Sequence, residues 1–205
     1  MKTARVVVFL IVQMMTFVNV FGDFPIRVTA DDARNPKVCQ DLVVREDKGN
    51  RYPKGLSLEG TTCFSISDNN SAEPVVDKNY IAVNGLDGFI YLYNSQSHNF
   101  IRKISTGTNG PIHLDLADGY LVWAYNGIHC HRIEDGAAWN VSSATSTRLP
   151  AVSAGKVIWI ESRNGSKGIY CYDVLKGIAR LIVQGTVYAN WKEPDIDDNI
   201  VVWSD

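Results

Sequence analysis

Five stretches of this chain superimpose on one another: PKVCQDLVVR (36–45), PVVDKNYIAV (74–83), LDLADGYLVW (114–123), PAVSAGKVIW (150–159) and PDIDDNIVVW (194–203). Their last residues, Arg45, Val83, Trp123, Trp159 and Trp203, fall 38, 40, 36 and 44 positions apart. A unit of this size cannot bury its own apolar face and must stack on copies of itself. The repeat therefore restricts the chain to repetitive architectures before any other feature is weighed.

Each row carries the same physics. An apolar residue at the third place (Val38, Val76, Leu116, Val152, Ile196) opens a short strand. Two turn residues follow: Gln40-Asp41, Lys78-Asn79, Asp118-Gly119, Ala154-Gly155 and Asp198-Asn199. Gly, Asn and Asp tolerate the positive φ that two-residue hairpins require. A nearly continuous apolar run comes next, as expected for a strand covered on both faces. A third strand is visible in GFIYLYN (88–94), GIHCHRI (127–133) and GIYCYDV (168–174). A fourth is visible in CFSISD (63–68), FIRKIS (100–105), AAWNVS (137–142) and ARLIV (179–183). Four short strands in a forty-residue unit predict an all-β fold, a β-propeller of four-stranded blades.

The run PAVSAGKVIWIESRNGSKGIYCYDVLKGIARLIV (150–183) resembles the repeats of TolB-like β-propellers, found in many exported bacterial and archaeal proteins. The resemblance spans about residues 24–205 and speaks to fold, because propellers host unrelated activities. Two departures stand out: Arg45 and Val83 occupy the Trp column, and KGLSLEG replaces the I-Y pair in blade one. Repeats are placed near 36–67, 74–105, 114–142, 150–183 and 194–205. FPIRVT (24–29) matches the fourth-strand pattern. Ring closure would have it complete a fifth blade begun by the two C-terminal strands, removing the exposed edge. Two readings stay open: about four full blades with a fifth closed in this way, or a truncated or open assembly.

Residues 1–22 belong to a different category. Lys2 and Arg5 precede an apolar run broken only by Gln13, Thr16 and Asn19, and Val20 and Gly22 suit the small-residue cleavage rule. This is the pattern of a secretory signal peptide cut after Gly22, leaving 23–205 as the propeller domain. The expected location is secreted, cell-surface or periplasmic, with no membrane span after signal removal. A formal charge of −2 gives no electrostatic case for nucleic acid. Export ordinarily favours disulfides, yet Cys130 and Cys171 share a column of adjacent blades, where strands about 10 Å apart exceed disulfide reach. Cys39 and Cys63 lie two strands apart within one blade, so all four thiols are expected to be free.

Nucleophile and phosphate motifs are missing from the sequence: no GxSxG, HExxH, phosphate-binding glycine loop or EF-hand spacing occurs. No catalytic residue, metal ligand or cofactor is therefore assigned. His129 and His131 share a strand face as metal ligands can, but they stand where Tyr91 and Tyr93, and Tyr170 and Tyr172, stand in the neighbouring repeats. They read as packing groups. Asp77 and Asp197 share an innermost-strand column and read as solvated channel lining. Sequons at Asn69, Asn140 and Asn164 make Asn69 and Asn164, both expected in loops, the candidate glycosylation sites.

Strand-two-to-three links and inter-blade links emerge on one end of such a fold. Here they are the long ones: Glu46–Lys54, Asp68–Glu73, Glu161–Lys167 and Gln184–Glu193. Elaborated loops usually carry function. Their Trp191, Arg163, Tyr52, Arg51 and Tyr188 are of the types enriched in binding hot spots. The expectation is an exported, non-catalytic module that binds a protein or glycan through this end. Alternatives are the propeller portion of an exported hydrolase or lyase whose catalytic part lies elsewhere, and a structural surface component that self-associates through the C-terminal edge strand.

Overall fold

The computed structural model describes residues 17–18, 26–27, 33–47, 52–58, 63–67, 71–107, 112–185 and 191–204. All described regular structure is strand. After the short β1 (Phe17–Val18) and β2 (Ile26–Arg27), blade one comprises β3 (Ala33–Cys39), β4 (Leu42–Asp47), β5 (Pro53–Ser57) and β6 (Cys63–Ser65). Blade two is β7 (Ser71–Val76), β8 (Tyr80–Gly85), β9 (Phe89–Asn94) and β10 (Phe100–Ser105). Blade three is β11 (Ile112–Ala117), β12 (Tyr120–Ala124), β13 (Ile128–Arg132) and β14 (Ala138–Ser142). Blade four is β15 (Thr147–Ser153), β16 (Lys156–Arg163), β17 (Ser166–Asp173) and β18 (Ile178–Gln184). Each blade is a four-stranded antiparallel meander in chain order, and β19 (Lys192–Asp197) and β20 (Ile200–Ser204) form a two-stranded fifth sheet.

The hairpin turns form where the sequence places them. Asp118-Gly119 (φ 53° and 76°) and Ala154-Gly155 (φ 47° and 66°) are left-handed at both positions, as a type I′ turn requires. Lys78-Asn79 lacks positive φ and is held instead by Asp77, whose Oδ1 accepts from the Asn79 N–H (2.8 Å) and Tyr80 N–H (2.7 Å). The same carboxylate reaches the next blade, where the Gly119 N–H donates to its Oδ2 at 3.2 Å. Asp118 repeats the device, its Oδ2 accepting from the Ala154 N–H at 2.7 Å. Ser153 Oγ then accepts from the Asp198 N–H at 3.0 Å. Side-chain acceptors thus tie consecutive turns together from blade two to the fifth sheet. Asp77 is only 7% exposed, which corrects its reading as solvated channel lining; Asp197 is exposed on β19.

The second strands lie between blades, and their alternation decides which neighbour each residue meets. On β8, Ile81 and Val83 pack towards Val44 of blade one, whereas Ala82 packs towards Leu121 and Trp123 of blade three. On β16, Val157 and Trp159 pack on Val122 and Cys130 of blade three, whereas Ile158 meets Ile196 and Val201 of the fifth sheet. Val44, Ala82, Val122 and Ile158 are all 0% exposed. Each larger side chain of this kind contributes about 1.5–3 kcal/mol relative to remaining in water.

The fifth sheet breaks the pattern. Val202, which occupies the Val44–Ala82–Val122–Ile158 column, is 56% exposed, and Ile200 is 70% exposed. Of FPIRVT, the described residues Ile26 and Arg27 pair with Val18 and Phe17, and Phe24, Pro25, Val28 and Thr29 lie outside the described residues. Among the described residues β20 therefore keeps one unpaired edge. Cys39, Cys63, Cys130 and Cys171 are all unbridged, with Cys130 and Cys171 buried on consecutive blades.

Candidate binding face

At the long-loop end of blade four, β16 and β17 continue further than the sequence reading allowed. Their ladder extends through Glu161↔Gly168 to Arg163↔Ser166. The expected loop Glu161–Lys167 is instead a hairpin closed by Asn164 (φ 50°) and Gly165 (φ 76°). Asn-Gly is a strong type I′ pair, so this correction was available in the residues. Arg163 consequently sits on a strand, and Asn164 is an exposed turn residue.

The extended hairpin organises a polar cluster. Glu161 is 0% exposed, and its Oε2 accepts from Trp159 Nε1 (2.8 Å) and from Ser142 Oγ of blade three (2.8 Å). Arg163 donates to Glu161 Oε1. Burial alone would raise the Glu161 carboxyl, but the hydrogen bonds from Arg163, Trp159 and Ser142 outweigh it and hold the group below its ordinary value. The Arg163 guanidinium lies 4.5 Å over the Tyr170 ring, which in turn stacks on Trp159 at 5.7 Å and 19°. Its side chain is nevertheless 54% exposed. The result is a cation whose geometry is fixed from below while its outer edge faces solvent.

The other sequence candidates are distributed around the same end. Tyr52, 36% exposed, ends the link into β5, its carbonyl accepting from the Asp47 N–H at 3.2 Å. Trp191 is half-buried immediately before β19, on the link from blade four. Arg51, Tyr188 and Asn69 lie outside the described residues. The structure thus places Arg163, Tyr52 and Trp191 on links or strand ends of one end, without bringing them into a single described cluster. Among the described residues no three His, Cys, Asp or Glu side chains converge as metal ligands do. His129 stacks on Trp123 (5.3 Å, 13°) with Nε2 2.7 Å from the Tyr125 carbonyl, and His131 is 7% exposed between blades. Both occupy the interblade aromatic column, as their alignment with tyrosines implies.

Sequence reasoning missed one feature. A cleft of about 590 Å³ opens between β10 of blade two and β13–β14 of blade three, lined by Arg102, Ile104, Trp123, His129, His131 and Asn140 among others. The signal lay two places beyond the Trp column, where blade four has Glu161 and blade three has Tyr125.

No sequence family and no curated protein matches this chain. Solved structures do. TolB from Acinetobacter baumannii is 13% identical at a TM-score of 0.57, over 78% of this chain and 46% of that one. The computationally designed protein Ika8 is 16% identical at 0.61, over 84% and 55%. A chain of a nidogen/laminin complex is 11% identical at 0.57, over 81% and 69%. The chain spans about half the length of the first two. At such identities a shared shape without detectable sequence kinship establishes the fold, and the fold of this chain is that of the TolB-like β-propellers.

Proposed function

We propose that this chain is an exported, non-catalytic interaction module that holds a protein or glycan on its long-loop end. The observation that carries the reading is Arg163. Its guanidinium is fixed by the buried Glu161 and by the Tyr170 face, yet more than half of its side chain remains open to a partner. Ordering a long side chain on binding costs about 0.5–1.5 kcal/mol, and here that cost is already met in the free protein. Trp191 and Tyr52, on the same end, are of the types that dominate binding energy. One chain that shares this fold is seen in a nidogen/laminin complex.

The test is photo-crosslinking from residues 52, 163 and 191 in the producing cells, with residues 154 and 198 on the opposite end as controls. Adducts of one mass from the first set alone, weakened by Arg163→Ala at unchanged circular dichroism, are expected. Equal adducts from both ends, or none from the first set, would refute the assignment. A second reading, self-association, is favoured by the apolar side chains of Ile200 and Val202 beside the unpaired β20 edge.

A further inference from the structure

Blade four satisfies its column tryptophan internally: Trp159 Nε1 donates to the carboxylate two residues on. Blade three carries the same tryptophan in the same register, with Trp123↔His129 matching Trp159↔Tyr170. The residue two places on is Tyr125, which offers no carboxylate. Trp123 is 4% exposed, and its Nε1 finds no hydrogen-bond partner among the described residues. A buried indole N–H ordinarily finds an acceptor, so this wall of the cleft lacks an acceptor that blade four provides.

The facing wall supplies positive charge. Arg102 Nη2 donates to the Ile133 carbonyl and lies 3.5 Å from His131 Nε2, while the buried Arg102 Nε has no partner among the described residues. Burial, and then the neighbouring Arg102, lower the affinity of His131 for a proton, so the positive charge on this wall is that of Arg102. Asp135, beside the cleft, is already taken by Arg132, whose Nε donates to it at 2.9 Å. No Asp or Glu is among the described residues lining the cleft. Lys103 is a neutral wall here, because its ammonium turns to the other face, 4.8 Å over Tyr91. Ile104 gives an apolar flank suited to methylene groups.

We propose that the cleft between β10 and β13–β14 binds the side-chain carboxylate of an acidic peptide, which takes towards Trp123 and Arg102 the role that Glu161 takes towards Trp159 and Arg163. A glutamate side chain is favoured over other carboxylates because the protein's own solution to this column is a glutamate. The cleft reaches the long-loop end through Thr106 and Gly107, but its binding is read at Trp123 and Arg102, apart from Arg163, Tyr52 and Trp191, and stands whether or not those residues hold a partner.

The test is a titration of the ¹⁵N-labelled full chain, following its indole N–H resonances and assigning that of Trp123 by Trp123→Phe. The probes are N-acetyl-Gly-Glu-Gly-amide, its Gln counterpart, galacturonic acid and acetate. The expected result is a saturable shift of the Trp123 indole with the Glu peptide and none with the Gln peptide. Arg102→Gln should weaken binding about tenfold or more, the loss of one charge-assisted hydrogen bond. Tyr125→Glu, which supplies an internal carboxylate, should abolish the shift and also guards against an Arg102 variant that fails to fold. A Trp123 indole that responds to no carboxylate overturns the site. A response to galacturonic acid alone, or equal responses to acetate and the Glu peptide, overturns the peptide assignment.

Discussion

Replacing Glu161 with Gln removes one charge and almost no volume from a fully buried position, so its effect isolates the ionised carboxylate. A Gln oxygen in place of Oε2 still accepts from Trp159 and Ser142. Its amide then faces the Arg163 guanidinium, donor against donor. A charge-assisted hydrogen bond contributes roughly 1.5–3 kcal/mol, and because Arg163 is 54% exposed the lower end applies, about 1–2 kcal/mol. Glu161→Ala additionally orphans the Trp159 N–H and leaves a cavity, for a total of about 3–5 kcal/mol. The pH dependence has a definite sign. The folded carboxyl lies below its ordinary value of 4.5, so its stabilisation is complete above that value and is lost as pH falls towards the folded one. Urea melts of wild type and Glu161→Gln should therefore differ at pH 7 and converge as the medium is acidified below about pH 4.5. A difference that persists unchanged in acid, or its absence at neutral pH, would refute an ionised Glu161 as the organiser of this cluster.

Three further outcomes follow from the packing. Asp77→Ala deprives the Asn79, Tyr80 and Gly119 N–H groups of their acceptor and should cost about 1–3 kcal/mol in the same melts. Val202→Lys, on the uncovered face of β20, should change monomer stability by less than about 0.5 kcal/mol, while light scattering shows any self-association through that edge abolished. Burial pushes the Cys130 thiol up to about 12, so a thiol reagent at pH 8 should modify the exposed Cys63 in the native protein and leave Cys130 unmodified until urea is added.

The blades were legible because each strand carries a period that only one packing satisfies. Val44, Ala82, Val122 and Ile158 had to be covered on both sides, and the turn pairs before them fixed the register, so strand order followed. Three things were not legible, each for a different reason. The link at 161–167 was read as a loop because its polar residues look solvated; in fact Glu161 is buried and neutralised by Arg163, and the Asn164-Gly165 turn needed more weight than the polarity around it. The partner of FPIRVT stayed open between closing the fifth sheet and an open edge, because a short alternating strand fits any free edge equally well. The cleft was invisible because its floor is a column tryptophan that one row alone marks as ordinary core; the residue two places on decides whether its indole N–H finds an acceptor, as it does at Trp159 and does not at Trp123.

That last comparison shows how a repeat separates architecture from recognition. Devices that hold consecutive blades together recur: apolar second strands, tight two-residue turns, and a carboxylate beside or in the turn, Asp77 or Asp118, that reaches the next blade's turn. Where one of them changes, another group takes over the contact, as Ser153 does for the Asp198 N–H. The place two beyond the tryptophan is different, because it lies at the end of the buried strand, where a side chain either closes the indole's hydrogen bond or leaves it for something else. Blade four closes it with Glu161 and uses the same carboxylate to fix Arg163 at the surface. Blade three leaves it open beside an Arg102 that has no carboxylate partner among the described residues. One scaffold position thus yields a presented cation in one blade and an unmet demand for an anion in the next. These two departures from the repeat, rather than the repeat itself, are where partners of this chain should be sought.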